Sequence, residues 1–318
     1  MNARCLPELA RFSIDACHQG LVEFGLIIPV GAKGVFGRSA LFEDVLERFN
    51  RLITQAGRDD KAVSCTFPPV IDRQVLERVN YLESFPHLCG SVHSFKGDAL
   101  QALALAERAR EGGDWGALLS STSVTLNPAV CYPVYPGLAG TLPPQGRIVS
   151  ILGWAYRHEP SDEPTRMQSF RVREYIHAGA PEQVAAWRDA WLQRGLALLH
   201  ALQLPVQEAV AADPFFGRSG RMMASSQKEQ RLKFEVLVPV ISEDEPTAIC
   251  SFNYHQDKFG EAFGIRTADG AVAHTACLGF GMERVVMALF VHHGWRVAQW
   301  PLAVRRQLWP DGDEGAAQ

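Results

Sequence analysis

The stretch GFGMERVVMALF, residues 279–290, sets two glycines around a phenylalanine, then an acid and an arginine, and then an unbroken apolar run. The run VVMALFV is apolar on every side, as in a helix that enters a protein interior. The residues before it, AVAHTACLGFG (271–281), read as a strand. The stretch is therefore a glycine-flanked junction between a strand and a core helix. Arg284, one step inside that helix, is out of place there unless its charge has a use.

The other elements fall into place around this junction. Ser39 is placed to cap a helix over ALFEDVLERFNRLITQA, which Gly57 closes. Asp72 starts a short helix running to Val79. Asp98 caps ALQALALAERARE, stopped by Gly112 and Gly113. A helix opens at Pro181 or Glu182, with Val184, Trp187, Trp191, Leu198 and Leu202 at roughly helical spacing. Strands are expected over RIVSILGWAYRHE (147–159), MQSFRVREYIHA (167–178), RLKFEVLVPV (231–240) and TAICSFNYHQ (247–256). PSDEPTR between the first two reads as a long hairpin loop. Residues 213–230 read as an irregular excursion, and the tail 310–318 as disordered. Successive strands joined by turns, with helices elsewhere, predict one α+β domain over 1–318: an antiparallel β-sheet flanked by helices.

The composition is that of an ordinary globular protein: 318 residues, 47% hydrophobic, 21% charged, net charge −4. That balance argues against a broad nucleic-acid surface. No apolar run reaches the ~20 residues of a bilayer span, and the first residues show no signal-peptide pattern. Seven scattered cysteines without a CxxC do not form a disulfide framework. A cytoplasmic setting is expected.

Strand side chains alternate, so residues two apart share a face. Arg157 and Glu159 go together; so do Gln168, Phe170, Val172, Glu174 and Ile176; Lys233 and Glu235; Ser251 and Asn253; Thr275, Cys277 and Gly279. One sheet face thus carries acids, an arginine and a thiol. It is either a solvated outer face or a ligand site. Its mixed chemistry, and its run into the junction at GFGMER, favour the ligand site.

These motifs resemble those of class II aminoacyl-tRNA synthetases. AYRHE, a loop and SFRVRE are similar to motif 2; GFGMERVVMALF is similar to motif 3; FEDVLERFNRLITQ followed by AVSCTFPPVI, with Pro69, is similar to motif 1. GLIIPV, TFPPVI, CYPVYPG, KFEVLVPV and SFNYHQDKFG extend the resemblance to the amino acid:[carrier protein] ligases, atypical seryl-tRNA synthetase homologues without a tRNA-binding arm. That resemblance implies a class II catalytic core that activates glycine or alanine with ATP as an aminoacyl-adenylate. It implies transfer to the phosphopantetheine thiol of a carrier protein, and a homodimer built on motif 1.

It also implies roles for residues. Arg157 would bind the α-phosphate and Arg284 the γ-phosphate and one adenine face. Phe170 would stack on the other face, Glu159 would lie near adenine or ribose, and Glu235 would help hold Mg²⁺. Cys131, Glu174 and Cys277 would bind Zn²⁺, and Ser251 and Asn253 would line the amino-acid pocket. His158, His255 and His274 are read as supporting or structural. Seryl enzymes carry Thr-x-Glu where this chain has Thr122-Ser123-Val124, which fits a shifted specificity. Residues 179–230, with Arg218, Arg221, Lys228 and Arg231, are either a carrier-docking region or a solvated segment. The sequence shows no coiled-coil arm, so tRNA is not expected as a partner. A truncated tRNA-charging enzyme and a non-catalytic paralogue are the alternatives.

Overall fold

The computed structural model describes residues 12–310. The expected disordered tail, apart from Pro310, and Cys5 lie outside the described residues. The centre is a seven-stranded sheet. Its strands in chain order are β1 (Val63–Cys65), β2 (Arg147–Tyr156), β3 (Ser169–Gly179), β4 (Gln207–Val210), β5 (Lys233–Val238), β6 (Thr247–Gln256) and β7 (His274–Gly281). Their spatial order is β4-β5-β6-β7-β3-β2-β1. All neighbours are antiparallel except β1, which runs parallel to β2 at one edge. The α+β expectation is borne out.

Three helices cover one sheet face: α1 (Ala40–Ala56), α2 (Pro181–Ala201) and, packed against α1 and the sheet, the motif 3 helix. Ser39 caps α1, its hydroxyl accepting from Phe42 N at 3.3 Å. Apolar residues meet in this layer. Phe49 meets Phe280 edge-on at 5.8 Å, and Tyr175 lies 4.9 Å from Trp191. Each such large buried side chain contributes ~1.5–3 kcal/mol. Asp98 forms a capping box with Gln101 on the helix Ala99–Arg110.

Two expectations need correction. The 213–230 segment is not irregular: it contains helix α3 (Gly217–Glu229). Glycine and serine hide its periodicity, but Met, Ala, Gln, Lys and Glu are good helix formers. The remainder of 179–230 is woven into the fold, since α2 lies on the sheet and β4 forms its other edge. Secondly, β2 ends at Tyr156, so Arg157 and Glu159 stand in the loop beyond it. There the backbone N–H of Arg157 still follows the ladder, donating to Gln168 O at 2.9 Å, while that of His158 turns away to Leu88 O at 3.1 Å. The final helix, α4 (Met282–His293), runs as read and ends at Gly294, whose φ of +96° suits glycine.

Candidate active site

Opposite the helical layer, the sheet floors a cleft of about 760 Å³. Alternation along the strands decides what enters it. On β5, Phe234, Val236 and Val238 pack on the helices while Lys233 and Glu235 face the cleft. On β6, Phe252 is turned away, and Ser251 and Asn253 are turned in. On β7, Leu278 and Phe280 face the helices, Cys277 and Gly279 the cleft. On β3, Tyr175 faces the helices, Phe170, Val172 and Glu174 the cleft. A Cβ on Gly279 would stand 2.9 Å from Val172 Cγ1, so only glycine leaves this floor flat. All ten proposed site residues line this one cleft: Cys131, Arg157, Glu159, Phe170, Glu174, Glu235, Ser251, Asn253, Cys277 and Arg284.

At one end stand the cations. Arg284 leaves the first turn of α4, its Nε donating to Thr165 O at 2.8 Å and an Nη to Ala248 O at 3.0 Å. Its charge is disfavoured by burial and then by Arg157 and Arg166. Arg157 donates Nε to Pro128 O at 3.2 Å and lies 5.6 Å over the Phe170 ring. Arg166 pairs with Glu159 at 3.2 Å. The loop bearing these groups is clamped at its return by Gln168. That residue takes the Tyr156 hydroxyl at 3.0 Å and donates its amide to Lys33 O at 2.8 Å. Three guanidinium groups against two carboxylates, Glu159 and Glu163, both paired with Arg166, leave an excess of positive charge, which is a site for an anion.

Beside Arg284 sits Glu283, a fully buried carboxylate. It accepts from Arg171 N and Nε and pairs with Arg38 at 3.2 Å, while Arg171 forks onto Glu43. This network fastens the cleft wall from behind.

Also in the cleft, donor atoms of Cys131, Glu174 and Cys277 lie within 4.8 Å of one another, and all three residues are buried. A tetrahedral ion with ligands at ~2.3 Å needs donors ~3.8 Å apart, which this spacing allows. The groups resist ionising together. Cys277 is pushed far up by its hydrogen bond with Cys131 and by burial. Burial lifts Glu174 to about 7. The hydrogen bond from Cys277 favours ionised Cys131, but burial and Glu174 outweigh it. Buried acids so placed stay protonated unless a cation replaces the protons. Two sulfurs and a carboxylate suit zinc. Glu235 is different: it pairs with Lys233 at 3.0 Å and belongs to no acidic cluster among the described residues. One carboxylate still fits Mg²⁺, which is usually held by one or two carboxylates together with substrate phosphates.

Sequence reading left out several cleft residues. Lys233, given no role there, is buried and pairs with Asp213 at 2.7 Å. That pairing holds Asp213 down at about 2 against its burial, and Gln227 of α3 donates to the same carboxylate at 2.9 Å. The Lys233 position was legible from its alternation with Glu235; Asp213, in a loop, gave no signal. His255 lines the cleft, its charge suppressed by burial and then by Lys258, with a pKa of about 3. His158 and His274 are absent from the cleft wall and contact Tyr156 and Tyr254. Thr122 donates to Val92 O at 2.9 Å, outside the cleft.

This sheet order, a helical layer behind it and an arginine-walled cleft in front define the catalytic core of a class II aminoacyl-tRNA synthetase. Solved structures agree on the fold. M. kandleri SerRS, in complex with A. aeolicus tRNASec, superposes with a TM-score of 0.78 at 21% identity, over 93% of this chain and 60% of that one. Seryl-tRNA synthetase from Pyrococcus horikoshii, complexed with ATP, gives a TM-score of 0.65 at 13% identity, covering 87% of this chain and 58% of that one. No family model matches the chain. Among curated relatives, amino acid–[acyl-carrier-protein] ligase 1 of Bradyrhizobium diazoefficiens is 45% identical over 282 residues, 88% of this chain and 86% of the relative. Ligase 2 of the same organism is 46% identical over 285 residues, 89% and 85%. The type-2 serine–tRNA ligase of Methanopyrus kandleri is 27% identical over 85% of this chain and 55% of its own length. The chain belongs to the amino acid–[acyl-carrier-protein] ligase family, and it is an enzyme of that kind.

Proposed function

We propose that this ligase activates glycine or alanine with ATP and passes the aminoacyl group to the phosphopantetheine thiol of a carrier protein. The observation that carries the nucleotide reading is the meeting of Arg157, Arg166 and Arg284, close enough to disfavour the charge on Arg284. A triphosphate satisfies that excess. A substrate carboxylate oxygen attacks the α-phosphorus, and pyrophosphate leaves. Arg157 holds the α-phosphate and stabilises the charge gathering in the transition state. Arg284 holds the γ-phosphate end and one adenine face, Phe170 the other, and Glu159 the adenine or ribose edge. Glu235 would contribute a carboxylate to Mg²⁺, which would offset charge on the triphosphate. The carrier thiol then attacks the aminoacyl carbonyl and AMP leaves.

Cys131, Glu174 and Cys277 would hold Zn²⁺ with one tetrahedral position left for the substrate amine. When bound, the ion supplies a Lewis-acid contact that a hydroxy acid or an acylated amine cannot replace. Ser251 and Asn253 line the amino-acid side of the cleft. Helix α3 would dock the carrier, supported by Arg218 and Arg221 on it and by exposed Met222 at the cleft mouth. A homodimer is supported by β1 at a sheet edge, with Val63 53% exposed. Among the described residues, no helix is long and apolar enough to cross a membrane.

Amino-acid-dependent ATP–pyrophosphate exchange tests activation. Offering tRNA and holo-carrier protein side by side tests transfer. Label is expected on the carrier thiol with glycine or alanine; label on tRNA alone would reverse the assignment.

A further inference from the structure

We infer that His255 is a positioning residue for the metal centre, its neutral imidazole donating Nε2–H to the sulfur of Cys277. The inference rests on the zinc reading above. His255 lies on β6, beside Cys277 on β7, with Nε2 3.6 Å from the Cys277 sulfur. Its other nitrogen, Nδ1, is 3.2 Å from the hydroxyl of Thr275, which is fully buried. The ring packs edge-to-face against Phe259 at 4.8 Å and Tyr135 at 6.4 Å, two rings stacked on each other, so one side of it is braced by a rigid aromatic pair. His255 stands outside the donor group of Cys131, Glu174 and Cys277. It touches one sulfur and is not itself a member of the group.

The proton can be assigned by chemistry. A thiolate bound to a divalent cation has no hydrogen to give. In the loaded site the 3.6 Å contact therefore requires the hydrogen on Nε2. Nδ1 must then accept, and the Thr275 hydroxyl is placed to donate to it. Thr275 and Cys277 are two apart on one strand, so the tautomer is selected by the same strand that supplies the ligand. Asn253, two residues before His255 on β6, brings its amide to 3.5 Å from the same sulfur.

Two donors on one sulfur have a consequence for the ion. Two thiolates and a carboxylate carry three negative charges against the ion's two positive ones. Hydrogen bonds to a thiolate draw charge from the sulfur, leaving the ion more electrophilic towards an incoming amine. Partners in this position also fix ligand direction, and removing them typically weakens metal binding by about 10–100-fold.

The test uses the full-length enzyme and reads the metal directly. Zinc affinity is measured by competition with a chromogenic chelator, and the thiolate-to-cobalt charge-transfer band is recorded after substitution with Co²⁺. His255→Phe keeps a ring against the Tyr135–Phe259 pair but removes the donor. It is expected to weaken zinc binding by about 10–100-fold and to move the cobalt band to lower energy. Thr275→Val, which leaves the ring in place, is expected to move both readouts in the same direction by less. His255→Gln, which keeps a donor, is expected to recover part of the loss. A zinc-free wild type that also fails to take up zinc would remove the metal reading itself. A wild type that binds zinc, with His255→Phe and Thr275→Val leaving affinity and band unchanged, would overturn the role of His255 alone.

Discussion

Glu283 accepts two hydrogen bonds from Arg171, from its backbone N–H at 2.8 Å and from its Nε at 2.9 Å. One residue belongs to the motif 3 junction and the other to the motif 2 strand, 112 positions earlier. Because Arg171 also forks onto Glu43 of α1, all three motifs meet in one ionic network, buried at Glu283 and open to solvent at Glu43. The arrangement explains the acid in GFGMER: it fastens the wall from which Arg284 reaches into the cleft.

Removing the acid leaves Arg38 without its carboxylate and Arg171 with Glu43 alone. Glu283→Gln is expected to lower stability by about 3–5 kcal/mol, the usual cost of breaking a buried ion pair from one side. Urea unfolding measures it. A loss below ~1 kcal/mol, the range of exposed pairs, would show that the network is not a structural tie.

The guanidinium groups of the cleft should act on rate. Arg157→Ala is expected to lower kcat for ATP–pyrophosphate exchange by about 10²–10³-fold, the loss typical of a fixed donor to developing charge. Phe170→Ala, by contrast, removes stacking of about 1–3 kcal/mol, so its effect should fall mainly on the KM for ATP. Equal losses in both parameters for both variants would contradict these separate roles.

The metal should be needed for the amino acid. Cys131→Ser and prolonged chelation are each expected to abolish amino-acid-dependent exchange, with zinc restoring activity only to the chelated wild type. Full exchange activity in a zinc-free preparation would end this assignment.

Asp213 predicts a pH signature. Its carboxyl is held at about 2 by Lys233, below the ~3.9 of an unfolded aspartate. A depressed pKa stabilises the fold above the unfolded value, and that stability is lost as pH falls through the folded one. The stability gap between wild type and Asp213→Asn should therefore be constant above about pH 4 and close towards about pH 2. Denaturant unfolding over this range checks it; a gap that widens on acidification would contradict the pairing.

Charge reversal at Arg218 and Arg221, both exposed on α3, is expected to raise the KM for the carrier protein at least several-fold while leaving exchange unchanged. Parallel loss of both activities would place α3 in activation rather than in docking.

Much of the fold was legible in the sequence because its signals are local. The caps at Ser39 and Asp98 and the apolar run of α4 lie within a turn or two of what they specify. Period-2 alternation sorted Lys233, Glu235, Ser251, Asn253 and Cys277 onto one sheet face before any neighbour was known. It also put Arg157 and Glu159 together, and both line the cleft, although the strand itself ends at Tyr156. Past Arg157, which still pairs with Gln168, the N–H of His158 goes to Leu88 O, so the end of the strand was misread and not its face. Helix α3 was missed because it buries only Gly220, and a helix without an apolar face writes no period into its sequence.

By itself, then, the sequence determined most of the helices and the long strands, which side of the sheet their residues face, and which motifs the chain carries, since these depend on spacing along one segment. Only the tertiary structure decided that Cys131, from a loop, meets Glu174 and Cys277, that Asp213 closes on Lys233, and that His255 lies against a sulfur. Those meetings follow from sheet order and from the burial that brings distant segments within 4 Å or so, and no spacing within one segment encodes them.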